Sequence, residues 1–314
     1  MTAPVRKASP EAIAEAADIL RRGGLVAMPT ETVYGLAADA ANPEAVARLY
    51  EVKGRPRFNP LIAHVNGPEM ARREAVLDGL PAFAAGFYWP GPLTLVLPAA
   101  PGATVCDLAR AGLDTVALRH PSHSVAHDLI TVLGGPLVAP SANLSGRLSP
   151  VTPADVAGDL GDRIDLILDG GRCPVGVEST ILSFAGGPPM LLRPGGLDAA
   201  AIERFLGVRL ERPDTQGEAP RAPGQLLRHY APNARLRLNA ISPQEGEAML
   251  GFGPVPHADA NLSPTGNLQE AAANLFMMLR WLDRRHDRIA VSPIPDQGLG
   301  EAINDRLQRA ARRD

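Results

Sequence analysis

The chain has 314 residues, more than one hydrophobic core usually serves, and 45% are hydrophobic against 21% charged, so it folds as one large domain or two unequal ones. A net charge of −3 and an aromatic content of 4% argue against a DNA-binding or other polyanion-binding surface, and no apolar run approaches the roughly 18 residues of a membrane span. Cys106 and Cys173 make neither a disulfide framework nor a zinc spacing and read as structural thiols; the N-terminus lacks a signal-peptide core, which points to a cytoplasmic protein.

Ser9, Pro10 and the apolar positions Ile13, Ala16, Ala17 and Leu20 spell an N-capped amphipathic helix that Gly23 stops. Leu25–Met28 then reads as a buried strand running into the polar Pro29-Thr30-Glu31-Thr32. A second helix opens at Asn42-Pro43 and closes at Gly54, followed by an Arg/Pro/Asn loop and a strand at Leu61–Val65. Further strands are expected at Leu93–Leu97, Thr115–Leu118, Leu137–Ala139, Ile164–Leu168, Thr180–Phe184 and Met190–Leu192, with helices near 68–78, 124–133, 153–160 and 198–206. Strands mixed with helices imply an α/β fold, a twisted sheet covered by helices on both faces. Residues 208–233, dense in Pro, Gly and charge, read as a linker between a domain at 1–207 and a smaller α/β domain at 234–314. The second domain shows a strand at Leu236–Leu238, a helix after Ser242-Pro243, a strong helix near 268–284, a strand at Ile289–Val291 and a final helix near 299–312.

Three chemistries are suggested and then discouraged. His120, His123 and His127 include an i, i+4 pair, but no glutamate accompanies them and Pro121 marks a turn, so zinc is disfavoured. No Gly-Gly pair has P-loop or dinucleotide spacing, and Ser141 and Ser145 lack the frame of a covalent hydrolase. Several polar segments at strand or helix ends remain, the places where α/β folds hold ligands. PTETVYGL (29–36) alone reads more readily as an ordinary helix N-cap than as a site. In Lys53-Gly54-Arg55-Pro56-Arg57-Phe58-Asn59-Pro60, three cations within five residues, stiffened by two prolines, suit an anion, phosphate above all, although a solvated basic loop fits the same letters. Of 31 basic residues only Lys7 and Lys53 are lysine, which tilts the choice toward a site. Pro140-Ser141-Ala142-Asn143, Gly176-Val177-Glu178-Ser179-Thr180 and Leu192-Arg193-Pro194-Gly195-Gly196 add hydroxyls, a carboxamide and a cation. Lys53, Arg55 and Arg193 with no conspicuous acid–base pair suit nucleotide chemistry driven by positioning and charge neutralisation.

In this order, PTETVYGL, KGRPRFNPL, GPLTLVLP, PSAN, GVESTIL and LLRPGG resemble the YrdC-like family. With APGQLLRHYAP and GLGEAINDRLQRAA, nearly the whole chain is similar to the long, two-domain form of the threonylcarbamoyl-AMP synthase family. The resemblance implies a YrdC-like mixed sheet and a smaller Rossmann-like second domain. It further implies condensation of L-threonine, bicarbonate or CO2, and ATP to threonylcarbamoyl-AMP and pyrophosphate, the adenylate passing to a tRNA threonylcarbamoyltransferase complex for t6A37 modification. By the same resemblance Lys53, Arg55, Asn59, Thr115, Ser141, Asn143, Ser149, Arg193 and Tyr230 belong to the ATP side, with Lys53 and Arg55 facing the triphosphate as the electrostatic catalytic pair. Thr32, His64, Arg119, Ala139 and Ser179 belong to the threonine side. Mg2+ enters on the ATP phosphates without a protein ligand, and Tyr230 belongs to an active-site lid. The competing expectations are a non-catalytic RNA-binding module and a carbamoyl-transfer enzyme with another acceptor.

Overall fold

A computed structural model describes residues 2–213 and 229–312. The elements run β1 (Val5–Lys7), α1 (Pro10–Arg21), β2 (Val26–Met28), β3 (Gly35–Asp39), α2 (Pro43–Lys53), β4 (Ile62–His64), α3 (Pro68–Glu74), α4 (Gly79–Tyr88) and β5 (Leu93–Pro98). They continue with α5 (Asp107–Arg110), β6 (Thr115–Arg119), α6 (Ser124–Leu133), β7 (Leu137–Val138), α7 (Pro153–Leu160), β8 (Leu166–Asp169), β9 (Thr180–Ser183), β10 (Met190–Arg193) and α8 (Ala199–Leu206). Beyond residue 229 come β11 (Arg235–Arg237), β12 (Ala248–Gly251), β13 (Ala260–Asn261), α9 (Leu268–Asp283), β14 (Arg288–Val291) and α10 (Leu299–Ala311).

The first ten strands form one mixed sheet in the order β1-β8-β2-β3-β7-β4-β6-β5-β9-β10, and the last four an all-parallel sheet, β11-β14-β12-β13. Helices start where capping chemistry allows. The Ser9 hydroxyl accepts from the Ala12 amide at α1, the Asn42 side chain from two amides at α2, and Thr152 with Asp155 makes a reciprocal capping box at α7. Gly54, at φ 60°, closes α2 in the left-handed conformation that turns the chain into the basic loop.

Burial pattern divides the large sheet. Every residue of β2, and of β3 and β8 except Asp39 and Asp169, is buried, so packing covers both faces there. Along β4, β6, β5 and β9 the two faces differ. Ala63, Leu118, Leu95 and Leu182 enter the main core, while the alternate residues Ile62, Ala117, Val96 and Ile181 form a separate apolar cluster with Leu192. That second cluster floors the site described below.

Three expectations are corrected. No helix follows Ser242-Pro243: after a turn the buried Ala248–Gly251 run pairs between β14 and β13 as a strand, since four apolar residues at a sheet centre carry no helical period. PTETVYGL does not open a helix either. Thr30 Oγ1 accepts from the Thr32 and Val33 amides in a tight turn, and the chain then enters β3. The helix placed at 68–78 ends at Glu74, where Ala75 is extended. Strands β1 and β3 and helix α4 were not foreseen: β3 is small-residue sequence buried on both sides, and α4 carries Gly79, Pro81 and Gly86.

Candidate active site

Strands β4 and β6 run parallel with Ile62 opposite Ala117 and His64 opposite Arg119, so the period of two puts His64, Arg119 and Thr115 on the apolar-cluster face. Arg119 and His64 stand at the carboxyl ends of these strands, and Thr115 at the other end, about 13 Å away at the usual strand rise. Thr94 of β5 shares that face, and its hydroxyl lies 2.7 Å from that of Ser179, just before β9. The sheet therefore aligns the residues assigned to threonine at one end and Thr115 at the other.

Arg55, His64, Arg119, Ala139, Ser141, Ser179, Arg193, Thr32 and Tyr230 line one cavity with Glu178 and His229, leaving a free space of about 40 Å³. That is about a tenth or less of the roughly 300–1,000 Å³ of a small-molecule pocket, and the buried His229 and Tyr230 form part of its wall. Tyr230 sits at φ 60°, a strained value for a residue with a side chain, and its ring lies 4.0 Å from His229 and 5.7 Å from Phe276 of α9. A larger hollow of about 410 Å³ borders the same linker exit at Ser145, Arg147, Asn233 and Arg312, and none of the sequence-predicted residues lines it.

Lys53, Asn59, Thr115, Asn143 and Ser149 stand outside the cavity lining. Lys53 is buried, and its ammonium donates to the Ser141 and Asn143 carbonyls, each at 2.5 Å, binding α2 to the PSAN loop. Burial, with Arg55 nearby, pushes its pKa well below the usual lysine value. Arg55 is buried too, donating to the carbonyls of Asn59 (3.2 Å) and Pro60 (2.9 Å), and burial lowers it to about 10; of the three loop cations Arg57 alone is exposed. Two of the loop's three cations are thus withdrawn from solvent. Asn59 is fully buried, and among the described residues neither of its amide atoms has a hydrogen-bond partner, nor has Asn143 Oδ1. Ser149 donates to Glu178 Oε1 at 2.5 Å.

At the other end, Arg119 donates to Glu31 at 2.6 Å, and its Nε has no partner among the described residues. His64 Nδ1 lies 3.3 Å from the Ile62 carbonyl, which can only accept, so the ring donates there and offers Nε2 as an acceptor. Burial, then the Arg119 charge, holds His64 neutral with a pKa near about 3. Arg193 donates to the Ser179 carbonyl at 2.8 and 3.1 Å and to its hydroxyl at 3.1 Å, tying β10 to the start of β9.

Sequence reasoning assigned no role to Glu31, Glu178, His229 or Arg306. The two carboxylates sat in quoted motifs, but nothing in the spacing says that each meets an arginine from a distant element: Glu31 with Arg119, and Glu178 with Arg306 of α10 at 3.0 Å. Among the described residues no group of three or more His, Cys, Asp or Glu forms a metal cluster.

The Sua5/YciO/YrdC family model, described as telomere recombination, matches residues 18–195, and the threonylcarbamoyl-AMP synthase C-terminal domain model matches 197–312. The chain is 41% identical to the threonylcarbamoyl-AMP synthase of Pyrococcus abyssi, over 94% of this chain and 93% of that one. It is 42% identical to that of Bacillus subtilis, over 95% and 92%. The crystal structure of P. abyssi Sua5 complexed with L-threonine superposes with a TM-score of 0.89 at 38% identity, covering 99% of this chain and 97% of that one. Sequence, domain order and fold agree along the chain, which belongs to the threonylcarbamoyl-AMP synthase family in its two-domain form.

Proposed function

We propose that the protein condenses L-threonine, bicarbonate or CO2, and ATP into threonylcarbamoyl-AMP and pyrophosphate. The observation that carries this reading is unmet hydrogen-bonding capacity in the lining of one cationic cavity: Arg119 Nε, His229 Nδ1 and the Tyr230 hydroxyl, all buried, have no partner among the described residues. Burying such groups costs about 1–3 kcal/mol each, a cost that a polar ligand would offset. Arg55 and Arg193 supply positive charge for phosphates, and Arg119 with His64 Nε2 suits an amino acid's carboxylate and a hydroxyl or amine.

The chemistry needs no enzyme nucleophile. The threonine amine adds to CO2, forming a C–N bond and losing a proton to give a carbamate. A carbamate oxygen then attacks the α-phosphorus, and the bond to pyrophosphate breaks. His64, held neutral, orients substrate without exchanging charge, while Arg55 and Arg193 stabilise the charge that builds on the leaving group. Among the described residues Glu178 is the carboxylate lining the cavity, and its engagement by Arg306 and Ser149 does not fit a resident metal; Mg2+ on this reading enters as part of the nucleotide substrate. The carbamate is short-lived in water, and closure of His229 and Tyr230 over the cavity supports a lid that protects it. The product is a mixed anhydride that a separate tRNA-modifying transferase consumes.

Purified protein incubated with ATP, Mg2+ and bicarbonate should release pyrophosphate when threonine is added and not before. Release that ignores threonine would overturn the reading.

A further inference from the structure

Arg306 lies on α10 of the second domain, yet it is fully buried against the first domain's site. Its Nε donates to Glu178 Oε2 at 3.0 Å and its Nη1 to the Pro194 carbonyl at 2.6 Å, beside Arg193. The guanidinium carbon stands 5.3 Å from the centre of the Tyr230 ring. Asp305, also on α10, holds Nη1 from the other side at 2.9 Å. Burial works against the Arg306 charge, but the surrounding Tyr230, Glu178 and Asp305 outweigh it, so the side chain stays cationic. Glu178, for its part, spends its second oxygen on Ser149 and lines the cavity that Arg55 and Arg193 make attractive to anions.

A carboxylate facing an anion site repels the ligand unless something cancels its charge, and on the reading above ATP and the threonine carboxylate are negative. We propose that Arg306 is a positioning residue of the active site: it neutralises and orients Glu178 and backs the ring of Tyr230, so the second domain conditions nucleotide binding in the first. Arg306 stands on Glu178 and Tyr230 and is not itself assigned to the reacting atoms. The inference rests on the assignment of this cavity to ATP.

The test uses the full-length protein, with MgATP affinity read by titration calorimetry beside pyrophosphate kinetics. Arg306→Gln should weaken MgATP by roughly tenfold or more, since Glu178 is left uncompensated. Adding Glu178→Gln to it should recover most of that loss, because the repelling charge is gone. Arg306→Lys, which keeps the charge and loses the fork, should fall between. Arg172→Gln breaks an exposed contact between the domains, to the Ala273 carbonyl and Asn274, and should bind MgATP like the wild type. Undiminished affinity in Arg306→Gln, or a double variant no better than the single one, would overturn the proposal. Should Arg306→Gln not fold, the double variant and Arg306→Lys carry the test, since each avoids a lone buried carboxylate. Wild-type protein that binds MgATP but releases no pyrophosphate would defeat the synthase reading and leave this comparison intact.

Discussion

Asn59 is the residue whose sequence context and tertiary setting disagree most usefully. In the basic loop it looks like a turn residue, yet it is wholly buried and its amide bonds to nothing among the described residues, a state that costs stability and is retained where a ligand needs it. Asn59→Leu should therefore keep or raise the melting temperature, by the equivalent of about 1 kcal/mol, while the KM for ATP climbs at least tenfold. Calorimetric melting and steady-state kinetics measured on the same preparation decide it; a lower melting temperature with unchanged KM would make Asn59 structural. Lys53 shows the reverse. The motif offers its ammonium to a phosphate, and the fold has already given that ammonium two carbonyls of the PSAN loop, so its first effect on the site is to hold Ser141 and Asn143 in place.

Among the elements, the approach of the β10 exit to the β9 entry sets the site's geometry. A Cβ on Gly195 would stand 2.4 Å from the Glu178 carbonyl oxygen, the Ser179 carbonyl carbon and the Thr180 amide nitrogen, so no side chain fits while Arg193 reaches Ser179. Gly195→Ala should push the two segments apart, lowering stability by about 1–3 kcal/mol and threonine-dependent turnover by more than tenfold; near-normal activity would show that the segments shift without consequence. The linker exit acts as a second element, with Tyr230 wedged between His229, Phe276 and Arg306. Tyr230→Ala should slow product formation at least tenfold while circular dichroism stays native, and unaltered kinetics would remove the lid from the mechanism.

For the whole molecule, burial of neutral histidines couples folding to pH. Burial lowers both His64 and His229 to about 3 in the folded protein, against about 6.5 when exposed. Each is charged in the unfolded chain below pH 6.5 and neutral in the native state, so their contribution is complete above that value and is lost as pH falls toward 3. At pH 5 the loss is about 2 kcal/mol per histidine. A melting temperature that drops between pH 7 and 5, with a smaller drop in His229→Asn, is the expected outcome; parallel curves for both proteins would mean that His229 is not held neutral by burial.

The sequence by itself determined the α/β class, most strands and helices of the first domain and the order of the polar segments, because capping residues, glycine stops and runs of buried apolar residues act over a few neighbours. It did not determine β3, whose small residues are buried on both faces, or β12, whose four residues carry no period long enough to tell strand from helix. Tertiary structure alone decided which charges face the cavity. Glu31 meets Arg119 from 88 positions away and Glu178 meets Arg306 from 128, and pairing across such distances depends on how sheets and domains pack, which no local spacing encodes.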